Sequence, residues 1–317
     1  MKITGKLIVP LLVAVSFGLC GFIAGRLVNE PWNAEKVKQA LPWAEQLPGL
    51  EFDPAERELM AEGLAEMRAG FEAMRELPMP NQVAPALVYN PFGAGYKPKG
   101  KQQPLHWQLP QNVQMPREPA KLAFYSVGQL ASLLKNGKIT SVELTRFYLD
   151  RLKKYGDTLE CVISITEELA MEQARQADAE IAAGNWRGPL HGIPYGAKDL
   201  LAVPGYKTTW GAMPYKNQEL DETATVVKKL KEAGAVLVAK LTLGALAWGD
   251  VWYGGTTRNP WNLEQGSSGS SAGSASATAA GLVAFSIGTE TLGSIVSPST
   301  RCGTTGLRPT FGRVSRH

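Results

Sequence analysis

The spacing of apolar and polar positions from Ser126 onward predicts helices that alternate with short buried strands. The pattern at 140–154 opens with a capping box, those at 167–183 and 272–280 are rich in small residues, and each apolar run has the length of one strand. The predicted helices cover 126–134, 140–154, 167–183, 221–233 and 272–280, and the predicted strands cover 161–166, 235–240 and 282–287. This alternation predicts an α/β fold with a mixed, mostly parallel sheet that helices cover on both faces.

A further helix is predicted closer to the N-terminus, where Asp53, Pro54 and Glu56 form a start signal. Apolar residues then recur at spacings of four and three, as Met60, Leu64, Met67, Phe71 and Met74. Such a stripe indicates a helix that packs on the chain's own folded domain. A coiled-coil homodimer is the alternative, which the short length of two heptads disfavours.

The chain begins with a long apolar run. Residues 7–25 carry no charge, and as a helix they would reach roughly 28 Å, close to the thickness of a bilayer core. Because Lys2 and Lys6 precede this run, we expect a cytoplasmic N-terminus and export of the rest to the periplasmic or extracellular face. The predicted state is an uncleaved membrane anchor, and a cleaved signal peptide that releases a secreted protein is the alternative.

The composition narrows the possible functions. A chain of 317 residues with 44% apolar residues is mostly globular. Its net charge of +4 is spread out, so no nucleic-acid binding is expected. Its three cysteines are widely spaced and have no partner histidines, so we expect neither a disulfide framework nor a zinc site. Three segments are predicted: an anchor or signal segment at 1–26, a helical and proline-rich extension at 27–119, and a folded domain at 120–317.

The candidate chemistry begins in the loop 266–273, which holds four serines and three glycines. Backbone N–H groups of such a loop can line a concavity, and the ordered elements predicted after it argue against a flexible linker. Residues 269–273 also match the G-x-S-x-G nucleophile elbow, with Ser271 as nucleophile. A nucleophile elbow needs an acidic residue and a histidine that follow the serine in the chain, and the only histidine after Ser271 is His317. A mechanism based on Ser, His and Asp is therefore not expected.

A serine nucleophile without histidine needs another base, and Lys198 is the candidate. It lies in the stretch 192–199, which contains glycine and proline and is followed by apolar residues. Burial would lower the pKa of this amine from about 10.4 toward neutral pH. A surface lysine paired with Asp199 is the alternative, and composition alone favours it.

Three longer stretches resemble the motifs of the amidase signature family. The family motif G-G-S-S-G-G-S corresponds to residues 268–274, G-T-D-T-G-G-S-I-R to 288–296, and C-G-x-x-G-L-K-P-T to 302–310. Shorter matches lie at 192–199, 234–240 and 259–262. The resemblance covers about 122–316. It implies the N-terminal part of an amidase domain whose C-terminal part is missing, so that the chain is expected to be a fragment.

The resemblance implies a Ser-Ser-Lys centre for hydrolysis of a small carboxamide through an acyl-enzyme, without metal or cofactor. Ser294 would be the nucleophile, Ser270 the bridging serine on a cis peptide, and Lys198 the base. Ser271 would support them by hydrogen bonding. Four consecutive backbone N–H groups would face the oxyanion, those of Thr291, Leu292, Gly293 and Ser294.

The chain departs from the family pattern at three positions. Leu292 and Ala272 replace glycines, and Val296 replaces an arginine. If position 292 needs a positive φ, leucine would be strained there.

Two other functions stay open. One is a glutaminase like the A subunit of the glutamyl-tRNA amidotransferase, against which the expected export argues, because that complex is cytoplasmic. The other is a truncated, inactive binding or scaffold protein.

Overall fold

A computed structural model of the chain describes residues 32–78, 100, 105–310 and 313–315. The predicted anchor at 7–25 lies outside these residues. Within the part that is described, no helix is both long and apolar enough to cross a membrane. The chain divides into two compact units, Met1–Gly93 and Ala94–His317.

The described part of the first unit contains helices α1 (Ala34–Ala44) and α2 (Pro54–Glu76). The predicted start of α2 is confirmed. The Asp53 side chain accepts the Glu56 N–H at 2.9 Å, and the Glu56 side chain accepts the Asp53 N–H at 2.9 Å.

The apolar stripe of α2 has two environments. Its first part packs against α1 in a small cluster of apolar residues, which includes Val37, Leu41, Met60, Ala61 and Leu64. Farther along α2, the side chains of Met67, Phe71 and Met74 are about half-exposed. Docking against α1 within this unit was not predicted from the pattern.

The second unit is built on a four-stranded sheet of β1 (Val162–Ile165), β2 (Pro194–Lys198), β3 (Val236–Leu241) and β4 (Phe285–Ile287). The strand order is β1-β3-β2-β4. β2 pairs parallel with both β3 and β4, whereas β1 pairs antiparallel with β3. The predicted mixed, mostly parallel sheet is confirmed.

Six α-helices of the second unit are described: α3 (Val127–Lys135), α4 (Ser141–Leu159), α5 (Glu167–Ala182), α6 (Thr225–Glu232), α7 (Ala272–Ala279) and α8 (Val296–Cys302). Short 3-10 helices cover Pro119–Phe124, Met213–Tyr215 and Ala245–Ala247. Two small antiparallel pairs join Val251–Trp252 to Gly255–Thr256 and Arg258–Asn259 to Asn262–Gly266.

Two predicted helix boundaries are wrong. The helix predicted from Asp221 begins at Thr225, because the backbone N–H of Ala224 donates to the carbonyl of Ala202 instead of entering a helix. The helix predicted to end at Lys154 continues to Leu159, a residue buried in the core, and Glu160 then ends it in the left-handed conformation.

The core explains why β2 and β3 do not alternate between buried and exposed positions. Every residue of both strands is buried. One face of β3 packs with α4, α5 and α7, while the opposite face, with β2, packs against α6 through Val227 and Leu230. Helices therefore cover both faces of the sheet, as predicted. Because β2 and β4 are parallel, the segments that follow them leave the sheet at the same edge.

Candidate active site

Lys198 is the last residue of β2, and its side chain is fully buried at this edge of the sheet. Its amine contacts three hydroxyl oxygens. Nζ lies 2.8 Å from Ser270 Oγ, 3.1 Å from Ser271 Oγ and 2.9 Å from Thr289 Oγ1. The structure thus brings the predicted lysine and the predicted bridging serine into direct contact.

The glycine- and serine-rich loop reaches Lys198 because small residues let it pass close to other backbone. The Gly269–Ser270 peptide bond is cis, the geometry that the family resemblance implies. A Cβ at Gly269 would overlap the backbone of Gly249. At the start of α7, a Cβ at Gly273 would lie 2.5 Å from the Cys161 carbonyl oxygen. Glycine at these positions therefore lets the loop and α7 lie against the sheet.

Ser294 joins the site through its backbone. The Ser271 N–H donates to the Ser294 carbonyl at 3.0 Å, which places residue 294 beside the Ser270–Ser271 peptide. The Ser294 side chain is partly buried, and its hydroxyl has no hydrogen-bond partner among the described residues. The hydroxyl of the proposed nucleophile is therefore not engaged by another side chain there.

The predicted oxyanion donors lie in the loop between β4 and α8. In the described part of the chain, the backbone N–H groups of Thr291, Leu292 and Ser294 donate no hydrogen bond, so they are available to a ligand. The Gly293 N–H instead faces the carboxylate of Glu290. The positive φ of this loop, +85°, falls on Gly293 and not on Leu292, so leucine at 292 is not strained in the way considered from the sequence. Its side chain is 90% exposed.

Burial determines the protonation of Lys198. It lowers the pKa of the amine to about 7, and the negative charge of Glu290 opposes this shift. An appreciable fraction of Lys198 is therefore neutral near pH 7. A neutral amine can accept a proton from the Ser270 hydroxyl.

Asp199 does not pair with Lys198 at the surface, so the alternative that composition favoured is wrong. Both residues are buried, and Asp199 Oδ1 lies 2.7 Å from Nζ of Lys240, a residue of β3. The other carboxylate oxygen accepts the backbone N–H of Thr209 at 2.7 Å and its hydroxyl at 2.6 Å. The charge of Lys240 is thus balanced by Asp199, whereas the amine of Lys198 contacts the serine hydroxyls.

Thr289 and Glu290 are site residues that sequence reasoning did not single out. Thr289 holds the lysine through its hydroxyl, and its backbone carbonyl accepts the Ser271 hydroxyl at 3.0 Å. Thr289 and Glu290 both lie in the family motif at 288–296. The contacts themselves depend on the pairing of β2 with β4, which no local pattern specifies.

Histidine takes no part in the described site. His191 is buried, and its Nδ1 accepts the backbone N–H of Arg187 at 3.2 Å, while Nε2 lies 3.1 Å from a Glu180 carboxylate oxygen. Burial lowers the pKa of this imidazole. His106 is exposed.

The fold and the site together define an α/β protein with a buried serine–lysine centre at the carboxyl edge of its sheet. A family model described as Amidase matches residues 143–317, more than half of the chain. The chain belongs to the Amidase family.

Among curated relatives, the A subunit of the Glutamyl-tRNA(Gln) amidotransferase from Coxiella burnetii is 45% identical over 195 residues, which are 61% of this chain and 40% of that protein. The chain therefore spans about two fifths of the length of the curated relatives it matches.

Solved structures show the same partial coverage. The native peptide amidase from Stenotrophomonas maltophilia has 38% identity and a TM-score of 0.59, over 62% of this chain and 42% of that one. Fatty acid amide hydrolase has 26% identity and a TM-score of 0.59, over 63% of this chain and 36% of that one.

Proposed function

We propose that this chain carries the catalytic centre of an amide hydrolase that cleaves a small carboxamide through an acyl-enzyme on Ser294. The observation that carries the proposal is the 2.8 Å contact between the buried amine of Lys198 and the hydroxyl of Ser270. A lysine whose pKa is about 7 has the proton affinity that a general base needs near neutral pH.

The proposed reaction relays a proton from Ser294 through Ser270 to Lys198. Neutral Lys198 takes a proton from Ser270, which takes one from Ser294 as the Ser294 oxygen attacks the amide carbon. The N–H groups of Thr291, Leu292 and Ser294 bind the oxyanion that forms. The proton returns along the same relay to the leaving amine, and water then hydrolyses the acyl-enzyme.

A glutaminase is the second candidate. It is supported by the 45% identity to the A subunit of a Glutamyl-tRNA(Gln) amidotransferase. The same serine–lysine relay would then release ammonia from glutamine. The similarity to the Stenotrophomonas protein, a peptide amidase, supports the general hydrolase instead. Turnover of glutamine compared with turnover of peptide amides distinguishes the two candidates.

Covalent labelling by a fluorophosphonate probe tests the proposal. We expect labelling of the wild-type chain that is lost in Ser294→Ala, because that substitution removes the attacking oxygen. Ser297→Ala is the matched control, since Ser297 is an exposed serine three residues farther along, and it should keep the labelling. A folded wild-type chain that takes no label would contradict the hydrolase and support an inactive binding or scaffold protein.

We also propose that the N-terminal run at 7–25 anchors the protein in a membrane and that the rest is exported, because 19 uncharged residues follow Lys6. The half-exposed stripe of α2 supports association of two copies. Detergent extraction of membranes, followed by mass measurement of the extracted particle, checks both. Recovery in the soluble fraction would contradict the anchor, and a monomer mass would contradict the homodimer.

A further inference from the structure

Glu290 is the only charged residue between Gly266 and Thr300, the stretch that contains all three serines of the site. Its side chain is 6% exposed. One carboxylate oxygen accepts the backbone N–H groups of Ile295 at 2.7 Å and Val296 at 2.9 Å. A charge in so shielded a position is costly unless its partners compensate it.

These hydrogen bonds close the loop that contains Ser294. The N–H groups of Ile295 and Val296 lie at the start of α8, where they have no acceptor within the helix. Glu290 satisfies both, and a negative charge is favourable at this end of a helix. A second hydrogen bond of 2.8 Å, from the Ser297 N–H to the Gly293 carbonyl, closes the same turn. Ser294 therefore lies in a turn that Glu290 and the Ser297–Gly293 hydrogen bond close together.

Glu290 directly follows Thr289, whose hydroxyl oxygen lies 2.9 Å from Lys198 Nζ, so its charge also acts on the base. It favours the protonated form of Lys198, whereas burial favours the neutral form. On its outer side, Glu290 Oε1 lies 3.2 Å from Nε of Arg308, a residue that is 57% exposed. Asp199 and Lys240, the other buried charges near the end of β2, pair with each other at 2.7 Å. Among the described residues, Glu290 thus acts on Lys198 and has a largely exposed ion-pair partner, Arg308, instead of a buried one.

We infer that Glu290 is a positioning residue of the proposed centre, which holds the Ser294 loop closed and presents its negative charge to Lys198, while Arg308 moderates that charge. The inference rests on the proposed function. During acylation Lys198 becomes an ammonium, and the carboxylate stabilises this charged form. Glu290 therefore moves the pH range in which the base accepts a proton toward higher pH, against the effect of burial.

The rate of Ser294 labelling by a fluorophosphonate, measured from acid to alkaline pH, tests this inference. Labelling needs neutral Lys198, so the labelling rate falls as the pH drops below the pKa of that amine. This falling part of the pH profile is its acid limb. Glu290→Gln keeps an oxygen that can accept both N–H groups but removes the charge. We expect its acid limb to move to lower pH by about 0.5 unit or more. Arg308→Gln leaves the carboxylate unopposed, so its acid limb should move to higher pH.

Glu290→Asp is the control that separates the effect of the negative charge from the effect of side-chain length. It keeps the negative charge, so its acid limb should stay near that of the wild type even where the labelling rate falls. Because Arg308 is largely exposed, we expect Arg308→Gln to fold. It serves as the test variant if Glu290→Gln does not fold. Acid limbs that coincide in folded, labelled wild type, Glu290→Gln and Arg308→Gln would overturn the inference and leave the hydrolase intact. A folded wild-type chain without label would overturn both.

Discussion

Replacing Lys198 with methionine is expected to slow acylation of Ser294 by about 10³-fold or more, because the relay then has no base. Methionine is close to lysine in length and tolerates burial, so the fold should persist. The measurement is the labelling rate of the variant relative to the wild type at one pH. Circular dichroism verifies that the compared chains are folded.

Two further variants sharpen the test. Lys198→Arg places a cation at the same position, but a guanidinium keeps its proton at all working pH values, so the rate should fall as it does in Lys198→Met. Lys207→Met is the matched control, because Lys207 is exposed and its amine contacts the Asn217 side chain, at 3.2 Å, away from the serines. A Lys198→Met variant that is acylated at the wild-type rate would rule out the amine as the base.

Replacing Asp199 with alanine is expected to lower the free energy of unfolding by about 3 to 5 kcal/mol. The substitution leaves the fully buried amine of Lys240 without its 2.7 Å partner. It also removes the acceptor of the two Thr209 hydrogen bonds. Urea unfolding at constant pH measures the change.

The double variant Asp199→Ala/Lys240→Met should recover part of the loss, because it removes both buried charges instead of stranding one. This recovery separates the cost of an unpaired charge from the cost of lost packing. A single Asp199→Ala variant destabilised by less than about 1 kcal/mol would show that the pair is not desolvated as its burial indicates.

Much of the fold could be predicted because capping residues and apolar spacing are local. Asp53 and Glu56 predicted the start of α2, and the buried runs predicted the strands β3 and β4. The small pairs within 251–266 could not be predicted in this way. Their strands have as few as two residues, too short for a periodic pattern. The antiparallel direction of β1 could not be predicted either, since strand pairing depends on residues far apart in the chain.

The site was partly visible in the sequence. Motif resemblance predicted Lys198, Ser270 and Ser294, and the structure brings the first two into contact. Thr289 and Glu290 lie in the motif at 288–296, but the motif did not predict a role for either residue. Their roles arise from hydrogen bonds to Lys198 and to the start of α8, and a motif does not state which groups its side chains will meet.

The sequence by itself determined where most of the helices and the strands β1, β3 and β4 form, and which residues are apolar enough for the core. These properties follow from backbone preferences and side-chain types within a few residues. The candidate serines and lysine were indicated by the resemblance of their motifs to those of the amidase signature family. Only the tertiary structure decided that Asp199 pairs with Lys240, that Lys198 is buried with Ser270, and that Glu290 closes the loop of Ser294. Protonation and pairing depend on which groups share a buried volume, and the parallel pairing of β2 with β3 and with β4 brings those groups together from distant parts of the chain.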